Sequence, residues 1–193
     1  MSTAVAVQPR VLADVAPRVR ARDLVLVLAA VALTAACAQI SIHVPGLTVP
    51  ITGQTFAVLL SGAALGANRG AAGQLLYVAM GLVGLPFYAD GAHGLDVVWG
   101  ATGGYLVAFP IAAWVTGKLA EARYDRTPWK ALPAFTIGSL IVFAIGVPWL
   151  AVSADISLAK AIELGFVPFI PGGIVKAVLA AGLLPTAWKL VGR

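Results

Sequence analysis

Charge is scarce in this chain: Asp, Glu, Lys and Arg make up 11% of its 193 residues, against about 25% in a soluble domain. With 60% hydrophobic residues and a mean hydropathy of +0.94, that deficit excludes a soluble globular domain and points to an integral membrane protein. Cysteine is nearly absent too. The single Cys37 lies in an apolar run, so no intrachain disulfide can form and the redox compartment cannot be read. Only two histidines occur, His43 and His93, and their spacing with Asp90 and Asp96 matches no metal-ligand pattern. Ser61 and Ser139 lie in apolar stretches that hold no histidine, which argues against a membrane-embedded serine nucleophile with its base. A Gly-x-x-x-x-Gly-Lys-Ser/Thr phosphate loop is missing as well, so any use of ATP falls to a partner. The net charge of +5 comes from basic residues placed between apolar runs. That is how topology determinants are placed, not how a nucleic-acid-binding face is built.

What is present is a series of apolar segments. A spanning helix needs about 20 apolar residues at about 1.5 Å per residue. Six segments qualify or nearly so: Leu24–Ile42, Gln54–Ala67, Ala71–Leu85, Thr102–Ala120, Leu132–Val152 and Ile170–Val191. The second and third are too short to span squarely, so they belong in the interior or extend into loops. The expected fold is therefore an all-α membrane protein, six transmembrane helices in a compact bundle. Three longer connections read as irregular, His43 to Gly53, Pro86 to Ala101 and Ser153 to Phe169; Asn68-Arg69-Gly70 reads as a tight turn and Glu121–Lys130 as a basic loop. Met1–Arg22, with Pro9 and Pro17 and four arginines, reads as a mobile cytosolic tail and not as a cleaved leader. The domain division is thus 1–22 as tail and 23–193 as one six-helix transmembrane substrate-binding domain.

Lysine and arginine placement orients the bundle. Eleven of the thirteen (Arg10, Arg18, Arg20, Arg22, Arg69, Lys118, Arg123, Arg126, Lys130, Lys189, Arg193) fall on one side, and only Lys160 and Lys176 on the other. The positive-inside rule then makes both termini cytosolic. The three irregular connections lie outside, which suggests capture of something from outside.

Lys176 is the feature that most needs explaining. No carboxylate lies within a turn or two of it in the sequence, and an ammonium at membrane depth costs about 2.5–3.5 kcal/mol on insertion scales. Either its stem snorkels to the outer surface, or it binds an anion together with the helix N-terminus at Pro171-Gly172-Gly173. Gln54 either reads a polar ring or caps its helix. Trp99, Tyr105, Phe87 and Tyr88 form either an interfacial belt or a pocket wall. Two faces of small residues, Ala29/Ala32/Ala36 and Gly104/Ala108/Ala112, suit close helix packing, within the bundle or against a partner.

These residues also carry a family resemblance. Val49-Pro50-Ile51-Thr52-Gly53-Gln54-Thr55-Phe56, Leu65-Gly66, Arg69-Gly70-Ala71, Gly84-Leu85-Pro86, Thr102-Gly103-Gly104-Tyr105-Leu106, Pro148-Trp149-Leu150 and Pro168-Phe169-Ile170-Pro171-Gly172 occur in order over roughly Ala38 to Trp188. The chain resembles the BioY family, the biotin-specific substrate-binding component of energy-coupling factor transporters. The resemblance implies an outward-facing vitamin pocket in a bacterial-type cytoplasmic (inner) membrane and no cofactor in this chain. It also implies partnership with a transmembrane coupling subunit and a pair of ATPases that use ATP, and leaves homo-oligomer formation open. It casts Lys176 as partner of the ligand carboxylate, with Gln54, Asp96, Trp99, Tyr105 and Phe87 around the ligand and Ala29, Ala32 and Ala36 facing the coupling subunit. The chain departs from the family pattern at Gly173, where an acid is usual, at Ala101, where proline is usual, and at Ser139 and Phe143, where asparagine and tyrosine are common. The missing acid at Gly173 leaves Asp96 or Gln54 to accept from the ureido N–H groups, or points to a related carboxylate such as dethiobiotin or a pimelate-like acid. A membrane scaffold with protein-binding outer loops is the rival of another class.

Overall fold

The computed structural model describes residues 10–15 and 21–191; Arg18, Arg20 and Arg193 lie outside them. The described residues are mostly helical. Six long helices run up and down: α1 (Arg22–Ala38), α2 (Gln54–Leu65), α3 (Ala67–Leu82), then, after a five-residue α4 (Leu95–Trp99), α5 (Gly103–Glu121) and α6 (Pro128–Ser153), and, after α7 (Leu158–Gly165), α8 (Ile170–Leu190). By length and composition, Pro128–Ser153 and the run Leu158–Leu190 are the two stretches apolar enough to cross a membrane among the described residues. The twelve-residue α2 extends only about 18 Å at 1.5 Å per residue, and it is interior: none of its residues is exposed.

Small residues set the helix spacing. A Cβ on Gly62 would come within 2.9 Å of the Ala113 Cα, and one on Gly70 within 2.7 Å of the Gly62 Cα, so α2, α3 and α5 touch backbone to backbone. In the same core Gln74, fully buried, donates to Ser61 Oγ at 2.9 Å and to Thr34 Oγ1 at 3.1 Å, tying α1, α2 and α3 together. The two small-residue faces part company here. Ala108 and Ala112 of α5 are fully buried, whereas Ala29, Ala32 and Ala36 of α1 are exposed, because α1 turns Ala30, Val31, Thr34 and Ala38 inward instead.

Several sequence expectations are corrected. The α2–α3 reversal is not Asn68-Arg69-Gly70. It is made by Gly66 alone, at φ +87°, and Glu121 Oε1 accepts the Ala67 N–H at 2.9 Å to satisfy the start of α3. Asn68-Arg69-Gly70 is the first turn of that helix. The Ser153–Phe169 connection is not irregular throughout: Ser157 accepts the Lys160 N–H at 3.2 Å and caps α7. The His43–Gly53 connection is bounded by a short antiparallel pairing of Ser41–Ile42 (β1) with Ile51–Thr52 (β2). Nor is the described part of the N-terminal region detached. Residues Leu12–Val15 form a 3-10 turn, Val11 and Ala13 are buried, and Arg69 holds Asp14 at 3.1 Å.

Candidate functional site

The connections at one end of the bundle enclose a cavity of about 240 Å³. The β1–β2 hairpin contributes His43, Thr48, Val49 and Pro50, and the Tyr88–Ala92 segment contributes Tyr88 and Asp90. The helices supply the opposite wall: Tyr105, Leu106 and Phe109 of α5, Val142 and Phe143 of α6, and Phe169 just ahead of α8. Aromatic rings interlock on that side. Phe143 meets Tyr105 edge-on at 6.2 Å and Phe169 at 5.7 Å, and Tyr105 stacks on Phe169 at 6.5 Å. The Tyr105 hydroxyl donates to the Gly165 carbonyl at 2.9 Å, which leaves its ring face to the cavity. A glycine is required at 146, because a Cβ there would collide with the Tyr105 ring.

A polar chain runs along the other edge. Thr52 Oγ1, just ahead of α2, accepts the Gln54 N–H at 3.3 Å and donates to Gln54 Oε1 at 2.8 Å. Gln54 Nε2 then donates to the Tyr77 hydroxyl at 2.6 Å, which donates to the Phe87 carbonyl at 2.9 Å. Lys176 Nζ, half-buried, donates to the Thr52 carbonyl at 2.7 Å. An ammonium has three donors; the carbonyl of Thr52, a cavity-lining residue, takes one, while Lys176 itself stands outside the lining. Gly173, one turn earlier in α8, faces open space: a Cβ there would meet nothing within 4 Å.

The two covering segments are tied to each other and to the bundle. His43 Nε2 lies 3.1 Å from Asp90 Oδ2, and Ser41 Oγ donates to the same oxygen at 3.4 Å. Asp90 sits at φ +59° in the left-handed region, where aspartate is one of the tolerated non-glycine residues. Gln39, just past α1, donates to the Tyr88 carbonyl and accepts from the Gly91 N–H, both at 3.1 Å. Tyr88 donates to the Val78 carbonyl at 2.7 Å, and burial pushes its phenol up to about 12, so it is a neutral donor at any physiological pH.

Of the residues singled out in the sequence, Gln54 and Tyr105 line the cavity, and Lys176 reaches it through Thr52. Phe87 offers the site its carbonyl while its ring lies outside the lining. Asp96 and Trp99 are placed elsewhere. Asp96 is exposed on α4; Trp99 is 68% exposed and stacks on Trp149 at 6.0 Å. The cause is the turn at Gly94, φ +89°, after which α4 turns Val97 toward the cavity and Asp96 away. Of the two aspartates Asp90 and Asp96, only Asp90 lines the cavity. Tyr88, for which the sequence leaves a belt or a pocket wall open, lines the cavity; Tyr77 is a site residue that the sequence reading does not single out. A tyrosine inside an apolar helix, one turn after Gln74, was the available signal for Tyr77.

Comparison with known proteins adds the family. The profile described as the BioY family matches residues 9–193. A protein of Pyrococcus horikoshii called "Probable biotin transporter BioY" is 38% identical over 162 residues, 83% of this chain and 93% of that protein. "Biotin transporter BioY" of Rhizobium etli is 35% identical over 83% of this chain and 89% of its own length. "Biotin transporter BioY" of Rhodobacter capsulatus is 42% identical over 69% of this chain and 76% of its own length. Among solved structures, "Crystal structure at 2.1 A of the S-component for biotin from an ECF-type ABC transporter" superposes with a TM-score of 0.78. It is 23% identical, covers 90% of this chain and 95% of its own, and speaks to the fold.

Proposed function

The chain belongs to the BioY family, and from that premise we propose that it captures biotin from outside the cell as the membrane-embedded component of an ECF-type uptake system. The observation that carries this reading is the cavity's two-sided chemistry. One wall is aromatic (Tyr105, Phe109, Phe143, Phe169) and suits a fused apolar ring; the opposite edge is polar, with Thr52 and Gln54 in the lining and Lys176 bonded to the Thr52 carbonyl behind them as the cation that would pair with a carboxylate. Asp90, which lines the cavity, supports a reading in which it accepts from the ligand in place of the acid missing at Gly173. Asp96, outside the lining, is the weaker candidate for that role.

Charge placement supports a cavity that opens outward. Among the described residues Lys160 and Lys176 lie at the cavity end, and Arg10, Arg22, Arg69, Lys118, Arg123, Arg126, Lys130 and Lys189 at the other. With that bias the six long helices cross the cytoplasmic membrane and both termini are cytosolic. The transporting unit is residues 23–193 together with the packed turn at 10–15. The exposed alanines of α1 form the surface for a transmembrane coupling subunit, and the paired ATPases supply the ATP chemistry. Ala32→Trp leaves biotin binding unchanged and abolishes uptake in cells that carry the whole system; uptake at the wild-type rate would remove α1 from that interface.

The open space at Gly173 favours a second reading, a smaller or simpler carboxylate. Competition among biotin, dethiobiotin and pimelate for the purified protein separates the two. Biotin displacing the others at the lowest concentration supports the first reading, and pimelate doing so overturns it. If none of the three binds saturably or raises the melting temperature, the chain is a scaffold.

A further inference from the structure

At the end opposite the cavity, a second concavity of about 270 Å³ opens between the α5–α6 loop, the start of α6 and the end of α8. Four cations line it: Arg123 and Arg126 from the loop, Lys130 from the first turn of α6 and Lys189 from the last turn of α8. No carboxylate lines it. The nearest acid, Asp125, is buried and turned inward, accepting from the Trp188 indole N–H and pairing with Arg126 Nε at 3.4 Å. Arg126 lies over the Trp188 ring, 3.2 Å from its centroid. These three residues build the floor. Arg123, Lys130 and Lys189 are exposed at the rim, and none of them forms an ion pair with a carboxylate among the described residues.

The surroundings identify the anion's source. Trp129 and Leu190, the neighbours of Lys130 and Lys189, are 86% and 83% exposed, as interfacial anchors are. Beyond them, exposed apolar side chains continue along both helices: Leu132, Ile137 and Leu140 of α6, and Leu183, Leu179 and Val175 of α8. A cationic cleft at the head of a long apolar wall has the polarity of a phospholipid, not of an acidic peptide. We propose that this cleft binds the phosphodiester headgroup of an anionic glycerophospholipid, whose acyl chains lie along the α6 and α8 surfaces. The inference rests on the membrane placement proposed above, not on which ligand is transported.

The test is native mass spectrometry of the purified full chain in detergent, equilibrated with equal amounts of phosphatidylglycerol and phosphatidylethanolamine. The wild type retains phosphatidylglycerol with a preference of about tenfold, and Lys130→Gln with Lys189→Gln brings the two lipids close to parity. Arg123→Gly is the fold control: Arg123 sits at φ +69°, a conformation glycine adopts without strain, so this variant keeps its melting temperature while losing part of the preference. Equal retention by the wild type, an unchanged preference in the variants, or displacement of the lipid by millimolar inorganic phosphate would each overturn the proposal. Biotin stabilisation is measured on the same samples. Its absence beside an intact lipid preference sinks the transport reading alone, whereas recovery of the protein in the soluble fraction without detergent sinks the membrane placement and this proposal with it.

Discussion

At the loop-covered end of the bundle, polar groups converge on a cavity; at the opposite end they converge largely on one another. Around the cavity, Gln54, Tyr77 and Thr52 form a closed chain, while Lys176 keeps donors beyond the one given to Thr52. At the other end Arg69 bridges Asp14 at 3.1 Å and Asp23 at 3.2 Å, and Glu121 takes both the Ala67 N–H and Lys118. The first cluster keeps hydrogen-bonding capacity for something else, whereas the second, around Arg69 and Glu121, uses its charges to hold short turns in place; the separate α6–α8 cleft keeps Arg123, Lys130 and Lys189 without a carboxylate partner among the described residues. On the proposed function, mutations in the two clusters therefore differ in kind: loss of biotin binding around the cavity, a small loss of stability around Arg69 and Glu121.

The comparison can be broken most forcefully by filling the cavity end. A side chain at Gly104 would run into Trp149, whose indole N–H donates to the Gly100 carbonyl at 3.0 Å and fixes the α4–α5 corner. Gly104→Leu is expected to cost about 3 kcal/mol and to abolish ligand stabilisation, read by thermal melts with and without biotin. A variant that melts like the wild type would mean that this corner does not shape the cavity. A smaller effect, about 1–3 kcal/mol, is expected from Gln54→Leu, which leaves the Tyr77 and Thr52 hydroxyls with lost partners. Chemical denaturation should show it alongside weaker binding; intact affinity would detach the polar chain from the site.

The smallest effect belongs to the charged end. Burial works against ionisation of Asp14, but the hydrogen bond from Arg69 and the backbone N–H groups of Val11 and Arg10 outweigh it, so its carboxyl titrates below the usual 3.8. A carboxylate with a lowered folded pKa contributes stability that is fully present above the unfolded value and is lost as pH falls through the folded one. Melting temperature should therefore decline below about pH 4, and Asp14→Asn should flatten that decline while leaving biotin affinity untouched. Weaker biotin binding in this variant would erase the division between the two ends.

The long helices were legible because apolar runs and charge placement report membrane depth directly; the starts of α2, α5 and α8 fall within a residue or so of the expected segments. What was not legible depended on backbone conformation or on which face of a helix turns inward. Gly66 makes a one-residue reversal that looks, in sequence, less turn-like than Asn68-Arg69-Gly70 beside it. The positive φ angles at Asp90, Gly91 and Gly94 decide that Asp90 and Val97 line the cavity while Asp96 and Trp99 do not. The two small-residue faces both carry a four-residue step, Ala32 to Ala36 and Ala108 to Ala112, and only packing shows that α5 buries its face and α1 leaves its face exposed. Lys176 was visible from the start as an isolated cation. Its bond to Thr52 was not, because it joins positions 124 residues apart.

Calorimetric titration of biotin into the wild type and Lys176→Ala, in the same detergent, tests the central claim most directly. The account predicts saturable one-site binding by the wild type and an affinity at least about tenfold weaker, or about 1.4 kcal/mol, in the variant. Equal affinities would remove Lys176 from the site, and no binding by the wild type would contradict the assignment of the cavity to biotin.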